Sequence, residues 1–347
     1  MKNASPSLPG LFKSELLRAL YPAAAMTLLL AFAAVLYRPH WFQLGGMKIL
    51  LPLNSVLAAM GCFTLTRRWL SSFDASLLAA VVYGFGPFGL SFVSYHPLAG
   101  LSFVAVPWLL CPAIYYQAKN PSGALKTLAT TLLTLLPFAA IAGLFWSASH
   151  YWAGPLFLMP KNKLPQPGDL WGIVTPMIFT ANHFAVGFYH IPLICILMGL
   201  FVFAVSGKET LLVPVMAAII LSLMSPICEV PPIVWLSFAA LFLSVLSGLG
   251  LQSLAWAGKA DRFWVLACVL AALALAALNY LLGLSHPGQA GYRQAAFLFL
   301  AAAAATGLIF LLTHFNLRLT LLRWVILFGL CVYDLWINAP ALVDSLF

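Results

Sequence analysis

The chain has 347 residues, 63% of them hydrophobic and only 7% charged, with a mean hydropathy of +1.01. No water-soluble fold hides that much apolar surface, so soluble enzyme classes are excluded and a bilayer is the expected solvent. The formal net charge of +9 does not point to nucleic acid, because the seventeen Lys and Arg are scattered singly and in pairs between apolar runs, where they orient a chain in a membrane.

The expected fold class is all-α, a polytopic integral membrane protein, since lipid offers the backbone no other partners and no barrel-like alternation is present. About eleven spans are expected, at residues 20–37, 49–64, 76–94, 99–117, 124–146, 187–206, 210–225, 230–254, 263–284, 295–313 and 320–340. The second and seventh are short for a hydrocarbon core of about 30 Å. The first run contains an A-x-A triplet at Ala31–Ala33 but continues past it, and is read as an anchor and not as a cleaved signal. A cytoplasmic N-terminus leaves only Arg38, Lys48, Lys161, Lys163 and Arg293 outside and puts the other twelve bases inside, a bacterial inner-membrane pattern with the C-terminus outside. The longest connection, about 147–186, falls on the outer face. It is too aromatic for disorder, and LWGIVTPMIF within it is too short to span and reads as interfacial. The whole chain is one membrane domain, with no soluble domain or repeat.

The third span holds VVYGFGPFGLSF, in which Gly84, Gly86 and Gly89 spell G-x-G-x-x-G. A dinucleotide loop needs a strand before the glycines and an acid about twenty residues on, and GLSFVAVPWLL offers none. The glycines are expected instead to bend the helix and let it approach its neighbours, delivering Tyr95 and His96 to the outer surface. Six cysteines without C-x-x-C spacing read as buried apolar side chains. His40, His96, His150, His183, His190 and His286 fall in outer loops or at outer edges, where the ring needs no metal. Of the eight acids, Glu15, Asp74, Glu209 and Asp261 lie near cytoplasmic bases as solvated partners. Asp169 in QPGDLW and Glu229 in SPICEVPP lie outside beside helix-breaking prolines and are the candidates for a ligand-facing role; Asp169 serves equally well as a helix cap. Asp334 in VYDLW sits in the last span, where a structural partner is expected.

LTRRWLSSFDASLLAAVVYGFGPFGLSFVSYHPLAGLSFVAVPWLL resembles a stretch of YfhO-type membrane proteins, relatives of the GT-C glycosyltransferases. There an Arg-containing turn precedes a small-residue helix that ends in an outward His. PGDLWGIVTPM, FYHIPLICILMGLF and SPICEVPPIVWLSFAALFLSVLSGLGLQSL follow in the same order, so the resemblance spans roughly residues 50–340. It implies use of a polyprenyl-phosphate sugar at the outer face, with an acid in the first outer loop as base or metal partner. Here that loop is RPHWFQLGGMK and holds no acid, EVPP stands where the relatives have Arg-Pro, and the larger relatives continue into a soluble domain beyond VYDLWINAP.

The expectation is a GT-C-like protein with a degenerate site, handling a lipid-linked sugar or polyprenyl lipid or serving as a membrane subunit of a larger complex. Membrane lipids are the expected partners, nucleic acid is not, and a divalent metal enters only with catalysis. If active, Asp169 or Glu229 is the base, and Tyr95, His96, Trp152, His183 and His190 contact phosphate or sugar. The rival from another class is a transporter or flippase with a midplane cavity lined by Asn54, Asn279 and Asp334.

Overall fold

The computed structural model describes residues 8–68, 70, 72–95, 99–119, 123–151, 212–224, 227–286, 290–317 and 319–344. The expected span at 187–206 and nearly all of the long connection lie outside the described residues. Within them the chain is helical throughout and holds no β-strand. The helices are α1 (Leu8–Leu36), α2 (Leu50–Thr66), α3 (Phe73–Phe85), α4 (Pro87–Tyr95), α5 (Ala99–Lys119), α6 (Ala124–Tyr151), α7 (Leu212–Ser222), α8 (Leu236–Trp256), α9 (Arg262–Ser285), α10 (Ala290–His314) and α11 (Thr320–Asp344). Six helical stretches among the described residues are long and apolar enough to cross a membrane: one running through α3 into α4, α6, and the four that contain α8, α9, α10 and α11. Shorter apolar stretches lie in α1, α2, α5 and α7.

Burial sorts these helices into a centre and a lipid-facing rim. In Phe73–Leu90 and Pro232–Trp256, 89% and 83% of the apolar window is buried, against 17% in α6 and 28% in the stretch containing α9. The exposed side chains of α9 include Leu270, Leu273, Tyr280, Leu281 and Leu284. Such a surface is stable against hydrocarbon and not against water. Hydroxyls inside the helices bond to their own backbone: Ser244 donates to Ala240 O at 2.7 Å, Thr306 to Ala302 O at 2.8 Å and Thr313 to Ile309 O at 2.7 Å. No hydroxyl among these therefore needs water at membrane depth.

The centre is built on small residues. A Cβ added to Gly84 of α3 would collide with the backbone oxygen of Ser55 on α2 and lie 2.7 Å from the Ala59 Cβ. On the other side of α3, a Cβ on Gly248 of α8 would lie 2.6 Å from Ala75 O. Without side chains at these points the backbones of α2, α3 and α8 come close enough for dispersion to hold them, the usual glue where lipid competes for apolar contacts. Tyr83 completes this seam by stacking on Phe103 at 4.1 Å between ring centroids and donating its hydroxyl to Phe103 O at 2.8 Å.

VVYGFGPFGLSF is therefore the bend and close-packing element expected of it. It is two helices and not one, because α3 stops at Gly86, whose backbone is extended (φ −68°, ψ 161°), and Pro87, which has no N–H to give, opens α4.

The helix ends define two faces. Tyr21 of α1 packs on Phe73 at 5.5 Å and carries the Arg67 guanidinium 5.2 Å above its ring, so this part of α1, the end of α2 and the start of α3 share one face. At the other end of α1, in the 3-10 turn Arg38–Gln43, His40 Nε2 lies 2.8 Å from Asp344 Oδ1 at the end of α11. α1 and α11 therefore finish on the same face. The 25 residues of α11 reach back about 37 Å, at about 1.5 Å per residue, to where Arg323 bonds Ala257 O beyond α8. α8 thus starts on the His40 face and ends on the face of Arg67, Arg68, Lys259, Arg262 and Arg323.

Candidate functional site

Of the residues singled out in the sequence, Asp169, His96, Trp152, His183 and His190 lie outside the described residues. Tyr95 is the last residue of α4, which runs away from the basic face and packs on α5 and α11. Glu229 lies in the turn before α8, on the same face as Tyr95. That turn is tight: Val230 N donates to Ile227 O at 3.1 Å, and the two residues between, Cys228 and Glu229, have φ of 53° and 62°. This is the backbone of a type I′ turn, normally built from Gly or Asn, here held by two residues with full side chains. Left-handed backbone costs a non-glycine residue about 1–2 kcal/mol. The flanking chain supplies the restraint, since Val230, Pro231, Pro232, Ile233 and Val234 are buried while Ile227, Cys228 and Glu229 are exposed. A short strained turn on a proline-rich buried base sets the backbone of Glu229 and leaves its side chain exposed.

Cys228 departs from the expected pattern. Cys62, Cys268 and Cys331 are buried and Cys111 is partly so, whereas Cys228 is exposed beside Glu229, because the left-handed turn throws its side chain out of the apolar run. Asp261 departs too: its Oδ2 accepts from Gly258 N at 2.8 Å, closing the turn before α9, and is a backbone cap instead of a partner for a base. No cluster of three or more metal-ligating side chains occurs among the described residues. Asn54, Asn279 and Asp334 are all buried, but Asn54 belongs to α2, packed on α1, α3 and α5, and Asn279 to α9, which packs chiefly on α10. Asn54 and Asn279 thus lie in different helix seams, and Asp334 is on α11.

Two features escape sequence reasoning. One is the His40–Asp344 pair, joining residues 304 apart. The other is a cavity of about 450 Å³ on the basic face, between the end of α8, the turn into α9, the end of α10 and the start of α11. Lys259, Arg323, Thr313, Asn316, Thr320 and Trp256 line it. Its wall is fixed by Arg323, which is 4% exposed and donates Nη1 to Ala257 O at 2.7 Å and Nη2 to Leu317 O at 3.0 Å. These carbonyls follow the C-termini of α8 and α10, where a cation also complements the helix dipoles. Asn316, with φ of 59°, turns the chain at the end of α10 while Leu317 N returns to Leu312 O at 2.8 Å, a helix-closing motif that usually takes Gly.

No protein-family profile, curated protein or solved structure matches this chain.

Proposed function

We propose that this is an eleven-span, GT-C-like protein of a bacterial inner membrane that handles a lipid-linked sugar or polyprenyl lipid at the face carrying Glu229. The observation behind this reading is the Ile227–Val230 turn, in which two strained residues on a buried proline base expose a carboxylate on the side where α4 ends at Tyr95. An exposed carboxylate accepts hydrogen bonds from sugar hydroxyls, and the apolar flanks of the neighbouring helices accommodate a prenyl chain. The YfhO resemblance supports the same class of ligand, with the acid moved from the first outer loop to the approach to α8.

Detergent-purified protein is expected to retain a radiolabelled polyprenyl-phosphate sugar, and Glu229→Gln to weaken retention about tenfold or more, the cost of one charge-assisted hydrogen bond. Equal retention by wild type and Glu229→Gln, or none by wild type, contradicts the proposal. Transfer of the label to an acceptor, lost in Glu229→Gln, extends the role of Glu229 to that of a general base.

A further inference from the structure

We infer that the cavity on the basic face is a binding site for a phosphate group, carried by the headgroup of an anionic lipid. Among the described residues its lining contains two cations, Lys259 and Arg323, and no carboxylate; Asp261, two residues beyond Lys259, is engaged with Gly258 N. Arg323 makes no ion pair among the described residues. Its two terminal nitrogens hold backbone carbonyls, and its Nε is buried with no hydrogen-bond partner. The guanidinium is set against the helix-end carbonyls and not against a carboxylate, so its charge is offset only by partial charges and a net positive field remains in the cavity. Lys259, exposed on the turn between α8 and α9, lines the same space. A phosphate there is met by the Lys259 ammonium within the guanidinium field and fits well within about 450 Å³.

The rim identifies the source of the phosphate. Trp256, Phe263, Trp264 and Phe315 are exposed around the cavity or beside it, at 69%, 69%, 45% and 66%, at the ends of apolar helices. Exposed aromatic rings at helix ends mark the headgroup level of a bilayer. Basic pockets between helices at this level on the cytoplasmic side suit anionic headgroups, and the same chemistry admits free inorganic phosphate.

The test uses the full chain in neutral detergent, with thermal unfolding followed on adding phosphatidylglycerol, phosphatidylcholine or inorganic phosphate. Phosphatidylglycerol is expected to raise the unfolding temperature at concentrations where phosphatidylcholine does not, and Lys259→Gln to require about fivefold more of it for the same shift. Arg262→Gln removes the same charge from the same face outside the cavity and is expected to keep the wild-type response. Inorganic phosphate acting as strongly as phosphatidylglycerol, with the same loss in Lys259→Gln, assigns the site to a free anion and supports the phosphate chemistry. A Lys259→Gln response equal to wild type, or an equal loss in Arg262→Gln, shows general surface attraction and overturns the inference. So does an identical effect of the two lipids.

Discussion

Gly84→Leu is expected to abolish recovery of folded, monodisperse protein, whereas Gly143→Leu leaves it unchanged. At Gly84 the first added carbon already collides with Ser55 O and Ala59 of α2. The obstacle is helix backbone, which cannot swing aside as a side chain can, so α2 and α3 must separate. Overpacking a well-packed core costs about 1–3 kcal/mol even where neighbours can adjust. Here separation also strips contacts from Tyr83 and Phe103, and lipid tails stand ready to replace the lost helix partner. At Gly143, on the exposed side of α6, an added Cβ meets nothing within 4 Å, and the leucine faces lipid. Size-exclusion profiles of the two variants, expressed side by side, make the comparison. Equal recovery of both removes the small-residue seam as the basis of the core.

Arg323→Met is expected to lower stability by about 1–3 kcal/mol, chiefly because it leaves the carbonyl of buried Ala257 without its donor, whereas that of Leu317, a residue 48% exposed, can turn to water. Ala257 O and Leu317 O belong to different connections, and Arg323 on α11 binds both, so one side chain ties the ends of α8 and α10 to the start of α11. Arg323→Lys keeps the charge but not the fork that spans both oxygens, and should fall between wild type and Arg323→Met. Lys259→Gln, in the same cavity but exposed, should unfold as wild type does in lipid-free detergent. The midpoints of thermal unfolding in one detergent rank the four proteins; Arg323→Met unfolding with wild type shows that the carbonyls find other donors.

The apolar runs make most of the helices legible. Residues 49–64 became Leu50–Thr66, and 320–340 lies within Thr320–Asp344, because a stretch of that length in lipid has no alternative to internal hydrogen bonding. The interruption at Gly86–Pro87 is visible as a dipeptide, yet apolar content alone runs straight through it. The Cys228–Glu229 turn carries no signal at all: nothing in those two side chains favours left-handed backbone, and it exists because the buried prolines after it dictate the path. Charge patterning places Arg323 at a membrane edge, but burial against two carbonyls is a property of three helix ends meeting, which no local window contains. The His40–Asp344 pair is long-range for the same reason. Of the candidate site, sequence supplies the acid and its prolines; the strain, the exposure and the sharing of a face with Tyr95 come from packing.

Everything proposed rests on two opposite faces, one with Glu229 and the His40–Asp344 pair, the other with Arg67, Lys259 and Arg323. Cysteine accessibility in intact cells tests this directly, using a variant whose only cysteine is the native, exposed Cys228, and two cysteine-free variants carrying Asp344→Cys or Lys259→Cys. A membrane-impermeant maleimide is predicted to label positions 228 and 344 from outside and position 259 only after permeabilisation. Labelling of 228 and 259 from the same side, or of 344 only after permeabilisation, contradicts the account.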